Sequence, residues 1–317
     1  MPTARTMPSI WAERAAISLY DAQHPHEAKE KLPIPEDIMD DVVQCMVRFK
    51  SVCSEYGVPD GNVQVVATEA TRYTQKREST VDSYIRTAIN SDDFLGRIKT
   101  ATGWTVRLLT QQEEATIGSE GIAASFAAVK GLVLDLGGGS CQLNWMVTGE
   151  QTTTSKTPVS MPYGAAALTN RLVHEDHQAL QQELIAAFKK AYETIALPND
   201  LKSHTGQHLW ACGGGFRGMG YFLIGKHPIQ PYPIPLINGF TVEAQTLSHA
   251  VSTESLTVTQ TEMGQDMFRI SKRRSSQVPA IALVIQALTM AVPNITQIHF
   301  SQGPVKSLLL VNIRRCP

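Results

Sequence analysis

The strongest constraint on the fold of this chain is the stretch at 131–140, Gly-Leu-Val-Leu-Asp-Leu-Gly-Gly-Gly-Ser. Leu132, Val133 and Leu134 form a continuous apolar run, the pattern of a strand covered on both faces. Asp135 ends the run. Gly137, Gly138 and Gly139 carry no side chains, so their backbone N–H groups can approach a phosphate closely, and Ser140 adds a hydroxyl. Beyond it Cys141, Leu143, Trp145 and Val147 alternate with Gln142, Asn144 and Met146, which predicts a second strand. The loop therefore joins two strands and not a strand to a helix. An acid at a strand end beside such a turn can hold Mg²⁺ through water while the amides hold the phosphate. The same residues also suit an ordinary glycine-rich hairpin, and local pattern alone leaves both readings open. The feature recurs: His208–Cys212 predicts a short strand that enters Gly213-Gly214-Gly215-Phe216-Arg217-Gly218. Two phosphate-facing turns are expected in one half of the molecule.

With 317 residues the chain is long enough for about two domains. A hydrophobic fraction of 43% against 18% charged residues supports full cores and excludes a disordered chain. The formal charge of −1, with no long basic run, argues against sequence-independent nucleic-acid binding, which needs many phosphate-neutralising cations. The cysteines, at 45, 53, 141, 212 and 316, form no CxxC and suit free thiols in a reducing compartment. The longest apolar run, Ala280–Val292, is too short to span a bilayer and contains Gln286. No hydrophobic signal region opens the chain, and a cytoplasmic protein without membrane partners is expected.

Periodicity predicts helices at 36–56, 113–126, 178–197 and 279–292, and strands at 63–67, 104–109 and 297–300. Residues 73–86, Tyr-Thr-Gln-Lys-Arg-Glu-Ser-Thr-Val-Asp-Ser-Tyr-Ile-Arg, are polar with no apolar face, and an exposed loop is expected there. Pro228–Gly239 is proline-rich and reads as rigid.

Taken in order, Ala67-Thr68-Glu69-Ala70-Thr71-Arg72, Glu113-Glu114-Ala115, Asp135-Leu136-Gly137-Gly138-Gly139-Ser140 and Gly213-Gly214-Gly215 resemble the exopolyphosphatase/guanosine pentaphosphate phosphatase family in sequence and spacing. The stretches Trp11–Gln23, Phe216-Arg217-Gly218-Met219-Gly220-Tyr221 and Pro231–Phe240 resemble more narrowly its fungal branch. The resemblance runs through residues 5–303. It implies an α/β protein of the actin-like ATPase (ribonuclease H-like) fold, with two α/β halves around a cleft that takes a nucleotide or polyphosphate. The halves are expected at 1–127 and 128–317. The family's opening strand and its acid-glycine loop have no match here, so the first half reads as incomplete. The missing strand would leave a sheet edge that favours association, a homodimer included. The family pattern passes from Arg72 directly to Thr87, so 73–86 reads as an insertion, and 304–317 departs from the pattern.

By the same resemblance Glu114 is the catalytic base, drawing a proton from the water that attacks phosphorus. The alternative is a helix N-terminal acid favoured by the dipole. Arg72 is implied to face the phosphate, against a surface ion pair. Asp135 is carried over as the Mg²⁺ ligand, Gly137, Gly138, Gly139 and Ser140 as phosphate contacts, and Gly213, Gly214 and Gly215 as approaching the phosphates of ATP or another polyphosphate. Arg217 beside them is a weaker candidate. Two functions follow. One is a phosphate- or nucleotide-binding regulator with protein partners, the fungal branch's role being retrograde signalling from mitochondria to nucleus. The other is a phosphoanhydride hydrolase acting on polyphosphate or guanosine pentaphosphate.

Overall fold

A computed structural model describes residues 11, 13, 15, 17–25, 32–68, 72–73, 86–87, 90–149, 152–202, 206–234, 236–252, 256–257, 261, 275–292 and 294–302, with 72, 73, 86, 87 and 111 described by their backbone alone. The chain separates into two compact units, Ser9–Gln111 and the residues from Gln112 onward. The helix at 111–125, which the division at 127/128 places with the first half, thus groups with the second.

In the first unit, α1 (Leu19–Gln23), α2 (Glu36–Glu55) and α3 (Ser91–Thr102) accompany β1 (Val65–Ala67) and β4 (Val106–Leu108), which pair in parallel. Ile34, Met39, Phe94 and Ile98 form one buried cluster and Cys53, Val65 and Trp104 another. Asn90 joins the clusters' flanking loops: its side chain accepts from the Ile34 amide at 2.9 Å and donates to the Ile34 carbonyl at 2.8 Å. Gly103, in the left-handed region at φ 77°, ends α3. The inserted-loop expectation for 73–86 lies, for 74–85, outside the described residues. The strands that flank it, β2 (Arg72–Tyr73) and β3 (Arg86–Thr87), pair antiparallel.

The second unit is built on a seven-stranded sheet. Its strands are β5 (Lys130–Leu136), β6 (Cys141–Val147), β7 (Thr153–Thr154), β8 (Val159–Met161), β9 (Gln207–Gly213), β10 (Thr241–Glu243) and β11 (Ile295–Phe300). The order is β10-β11-β9-β5-β6, and both β7 and β8 pair with β6. β5, β9 and β11 run parallel, while β6 and β10 are antiparallel to their neighbours. The hairpin expected at 131–147 is present, closed by the pair Leu136↔Cys141.

Alternation along β5 sends Leu132, Leu134 and Leu136 into the main core and Val133 to the opposite face, as a strand covered on both sides requires. The main core is closed by α5 (Ala165–Arg171), α6 (His177–Thr194), α8 (Gly214–Gly225), α9 (Ala244–Ala250) and α10 (Val278–Ala291), with the short α7 (Asn199–Lys202) at its margin. α10 is apolar nearly all round and buried accordingly. Its one polar residue in mid-helix is satisfied, because Gln286 donates to the Val251 carbonyl at 2.7 Å and accepts from Gln181 at 3.0 Å. Across the sheet, α4 (Gln111–Ser125) lays Ile122 against Val133, Met146, Trp210 and Cys212.

α8 differs from the turn expected after the second glycine triplet. Glycine costs a helix about 1 kcal/mol relative to alanine, yet Gly214, Gly215, Gly218, Gly220 and Gly225 all lie in it. The reason is tertiary. A Cβ on Gly215 would lie 2.9 Å from Leu136 Cδ2, and one on Gly220 2.7 Å from Ile237 and 3.0 Å from Phe300. The helix sits too close to the sheet for side chains at these positions. Among the described residues no helix is long and apolar enough to cross a membrane.

Candidate functional site

The parallel register Leu136↔Gly213 and the antiparallel register Leu136↔Cys141 bring both glycine triplets to one end of the sheet. That end holds the carboxyl termini of the parallel strands, outside which ligands bind in open α/β sheets. The first triplet is shaped by the start of α5. Gly164 N donates to the Gly139 carbonyl at 3.2 Å, Ala165 N to Gly137 at 2.9 Å, and Ala166 N and Ala167 N to Gly138 at 2.9 and 3.1 Å. Three successive loop carbonyls therefore point toward α5. In a trans peptide the N–H of the next residue points opposite to the carbonyl. The amides of Gly138, Gly139 and Ser140 consequently face away from α5, and no group among the described residues accepts from those of Gly138 and Gly139. Successive amides turned to one side in this way form an anion-binding concavity. The space over Gly138 is open, with no atom within 4 Å of an added Cβ.

Gly164 is a residue the motif reading missed. A Cβ there would overlap the Gly138 carbonyl and lie 2.5 Å from Gly139 C. Its sequence signal is slight, a lone glycine between Tyr163 and an alanine run. In the second triplet Gly213 has φ 94°, and a Cβ would lie 2.6 Å from Asp135 Oδ1. Gly214 opens α8 and faces open space, while Gly215 is held in the packing against Leu136 and Ile281. The first N–H groups of α8 have no intrahelical acceptor and Gly213 supplies no side-chain cap, so this end also favours anions.

Asp135 projects from β5 on the α4 side of the sheet. Its cross-strand neighbours are Gln142 and Cys212. One carboxylate oxygen abuts Gly213 and the other the Cβ position of Gly118 on α4, at 3.6 Å. Burial raises the Asp135 carboxyl above its ordinary value, opposed by the hydrogen bond from Cys212 and the charge of Arg217. Burial also raises the Cys212 and Cys141 thiols, so both remain protonated structural residues. Because the folded protein holds the Asp135 proton more tightly than the unfolded chain does, stability falls as the pH rises from the ordinary carboxylate range through the raised value, and the cost is complete above it. In EDTA, Asp135→Asn is expected to melt above wild type at neutral pH, with the difference vanishing in acid. A lower neutral-pH melting temperature in the variant would contradict this assignment.

Ser140 is buried, and its Oγ accepts from Gln142 Nε2 at 2.7 Å, which leaves the hydroxyl proton to donate. Glu114 precedes Gly118 by one helical turn and so shares the face that meets Asp135, whereas Glu113 is rotated about 100° away. The Arg72 side chain lies outside the described residues. No group of three His, Cys, Asp or Glu side chains able to hold a metal occurs among the described residues. Mg²⁺ does not require one: it commonly binds through one or two carboxylates and the ligand's phosphate oxygens, with water completing its shell. Asp135, at the mouth of the glycine loop, fits that mode.

A family model described as the Ppx/GppA phosphatase family matches residues 2–314. The chain belongs to the Ppx/GppA phosphatase family. It is 39% identical over 314 residues to retrograde regulation protein 2 of Saccharomyces cerevisiae, an alignment covering 96% of this chain and 50% of that protein. The chain thus spans about half the length of that relative. Among solved structures it is similar to the Aquifex aeolicus Ppx/GppA family member, with a TM-score of 0.67 at 18% identity over 94% of this chain and 86% of the other. An exopolyphosphatase from Cytophaga hutchinsonii gives 0.65 at 17% identity, over 89% and 83%. The fold is the actin-like one of the Ppx/GppA proteins, and the glycine hairpin lies on its central sheet.

Proposed function

We propose that this chain is a phosphate-sensing regulator of retrograde signalling, binding the phosphates of a nucleotide or polyphosphate at the glycine hairpin. The observation that carries the phosphate reading is the set of three loop carbonyls taken up by α5, which turns the opposite amides outward. The regulatory reading rests on the 39% identity to retrograde regulation protein 2. In this reading Gly138, Gly139 and Ser140 hold a phosphate from one side and the start of α8 from the other, and Asp135 holds Mg²⁺ carried in with it. The cation supplies charge neutralisation of the phosphates when bound. Regulatory protein partners, self-association and a cytoplasmic location belong to the same reading. A second reading is phosphoanhydride hydrolysis. It is favoured by Glu114, which shares a helix face with Gly118 beside Asp135 and would act as general base.

The test is calorimetric titration with ATP and with inorganic tripolyphosphate, with and without Mg²⁺. Gly138→Val places a branched side chain over the loop, where an added Cβ meets no atom within 4 Å. It is expected to weaken binding by about tenfold to a hundredfold, the worth of one charge-assisted hydrogen bond. Its melting temperature should stay near wild type. Wild-type affinity in this variant would move the ligand away from the loop.

A further inference from the structure

We propose that Arg217 is an oxyanion-binding residue of this site, presenting the Nε–Nη2 edge of its guanidinium across the carboxyl ends of β11, β9 and β5. The inference rests on the phosphate reading of the glycine loop and adds a side chain to what is otherwise a cradle of backbone amides.

Three observations place the group. First, Arg217 is the fourth residue of α8, immediately beyond the glycines that open the helix. Second, its Nη1 donates to the Gln302 carbonyl at 3.1 Å, just past the end of β11. That end is itself tied down: Ser301 N donates to the Ala211 carbonyl of β9 at 2.9 Å, and Gln302 N to the Asn238 side chain at 3.3 Å. Third, α8 leaves β9 through Gly213, which pairs with Leu136 at the end of β5. A group on the first turns of the helix that leaves β9 beside β5, bonded to the end of β11, lies at these strand ends, where α/β sheets receive ligands.

The hydrogen bonding leaves this cation incomplete. Arg217 Nε is buried and has no acceptor. A buried N–H of a charged group without a partner is unfavourable and calls for an explanation. With Nη1 committed to Gln302, the remaining side-on edge of the fork is the one that matches two oxygens of a phosphate. A small turn of the side chain toward a phosphate oxygen at the start of α8 would give this N–H the acceptor it lacks. A purely structural arginine, serving only to hold the end of β11, would need Nη1 alone.

The experiment is calorimetric titration of inorganic tripolyphosphate at several salt concentrations into wild type, Arg217→Gln, Arg217→Lys and Gly138→Val, with the ligand-free melting temperature of each. Arg217→Gln is expected to bind about tenfold or more weakly, as for a lost charge-assisted contact, and with a shallower dependence on salt. Arg217→Lys keeps the charge and loses the fork, so its salt dependence should stay near wild type with an intermediate affinity. If Arg217→Gln binds as wild type does while Gly138→Val does not, the assignment of Arg217 is overturned and the loop reading stands. If wild type binds no tripolyphosphate, both fall. Should Arg217→Gln fail to fold, Arg217→Lys decides, and wild-type affinity in that variant overturns the proposal.

Discussion

Alanine at Gly164 is expected to lower the melting temperature sharply and to abolish tripolyphosphate binding. The residue has φ −72° and ψ 160°, which any amino acid adopts, so the effect does not come from backbone strain. It comes from contact. The added Cβ would overlap the Gly138 carbonyl and stand 2.5 Å from Gly139 C, and backbone atoms cannot rotate aside as a side-chain end can. Relief requires the hairpin and α5 to part, which stretches the bonds from Gly164, Ala165, Ala166 and Ala167 to the loop carbonyls. Overpacking typically costs about 1–3 kcal/mol and a lost hydrogen bond about 1 kcal/mol, so with the equivalent of one of these four bonds lost a total of about 2–4 kcal/mol is expected. Binding fails for the same reason, because the orientation of the outward amides is set by those carbonyl contacts. Gly138→Ala is the control. Its Cβ meets nothing within 4 Å, so its stability should stay within about 0.5 kcal/mol of wild type. Equal melting of Gly164→Ala and wild type would show that α5 does not set the loop.

Any phosphate release from tripolyphosphate by this chain is expected to fall by about 10²–10⁴ in Glu114→Gln, the usual worth of a general base. The amide keeps the size of the side chain and removes its capacity to take a proton. Affinity should change little, since the phosphate contacts proposed here are the loop amides and Arg217. The placement argument is helical: Glu114, Gly118 and Gly121 follow at spacings of four and three, and Gly118 is where α4 meets the Asp135 carboxylate. An unchanged rate in Glu114→Gln, with a fall in Glu113→Gln, would transfer the role to the neighbouring acid. Wild type that binds tripolyphosphate and releases no phosphate would leave the regulator reading alone.

Much of the architecture was legible in the residues because it is locally encoded. The run Leu132–Leu134 marks a strand with cover on both faces, and it lies at the centre of the seven-stranded sheet. The alternation after Ser140 marks a return strand, and β6 pairs with β5 antiparallel. Apolar spacing located α2, α4, α6 and α10 to within a few residues. The motifs in order pointed to the Ppx/GppA family, which the family match over residues 2–314 shows.

What local pattern could not carry is every feature set by close approach between segments distant in sequence. Residues 214–220 have the composition of a turn and form a helix, because Gly215 and Gly220 let α8 lie against Leu136, Ile281, Ile237 and Phe300. Gly164 reads as a connector, yet its missing Cβ is the space the hairpin occupies. Arg217 reads as one charge beside glycines until Gln302, 85 positions away in the chain, takes its Nη1. Periodicity reports which face of one element is apolar. It carries no information on which backbone will stand against that face, or how near. The residue pattern of this chain located the strands of the glycine hairpin, those at 63–67, 104–109, 208–212 and 297–300, four of its longer helices and two glycine triplets that follow strands. Only the packing of α5, α8 and β11 around the end that holds both triplets decided which way its amides point and which charge lies across it.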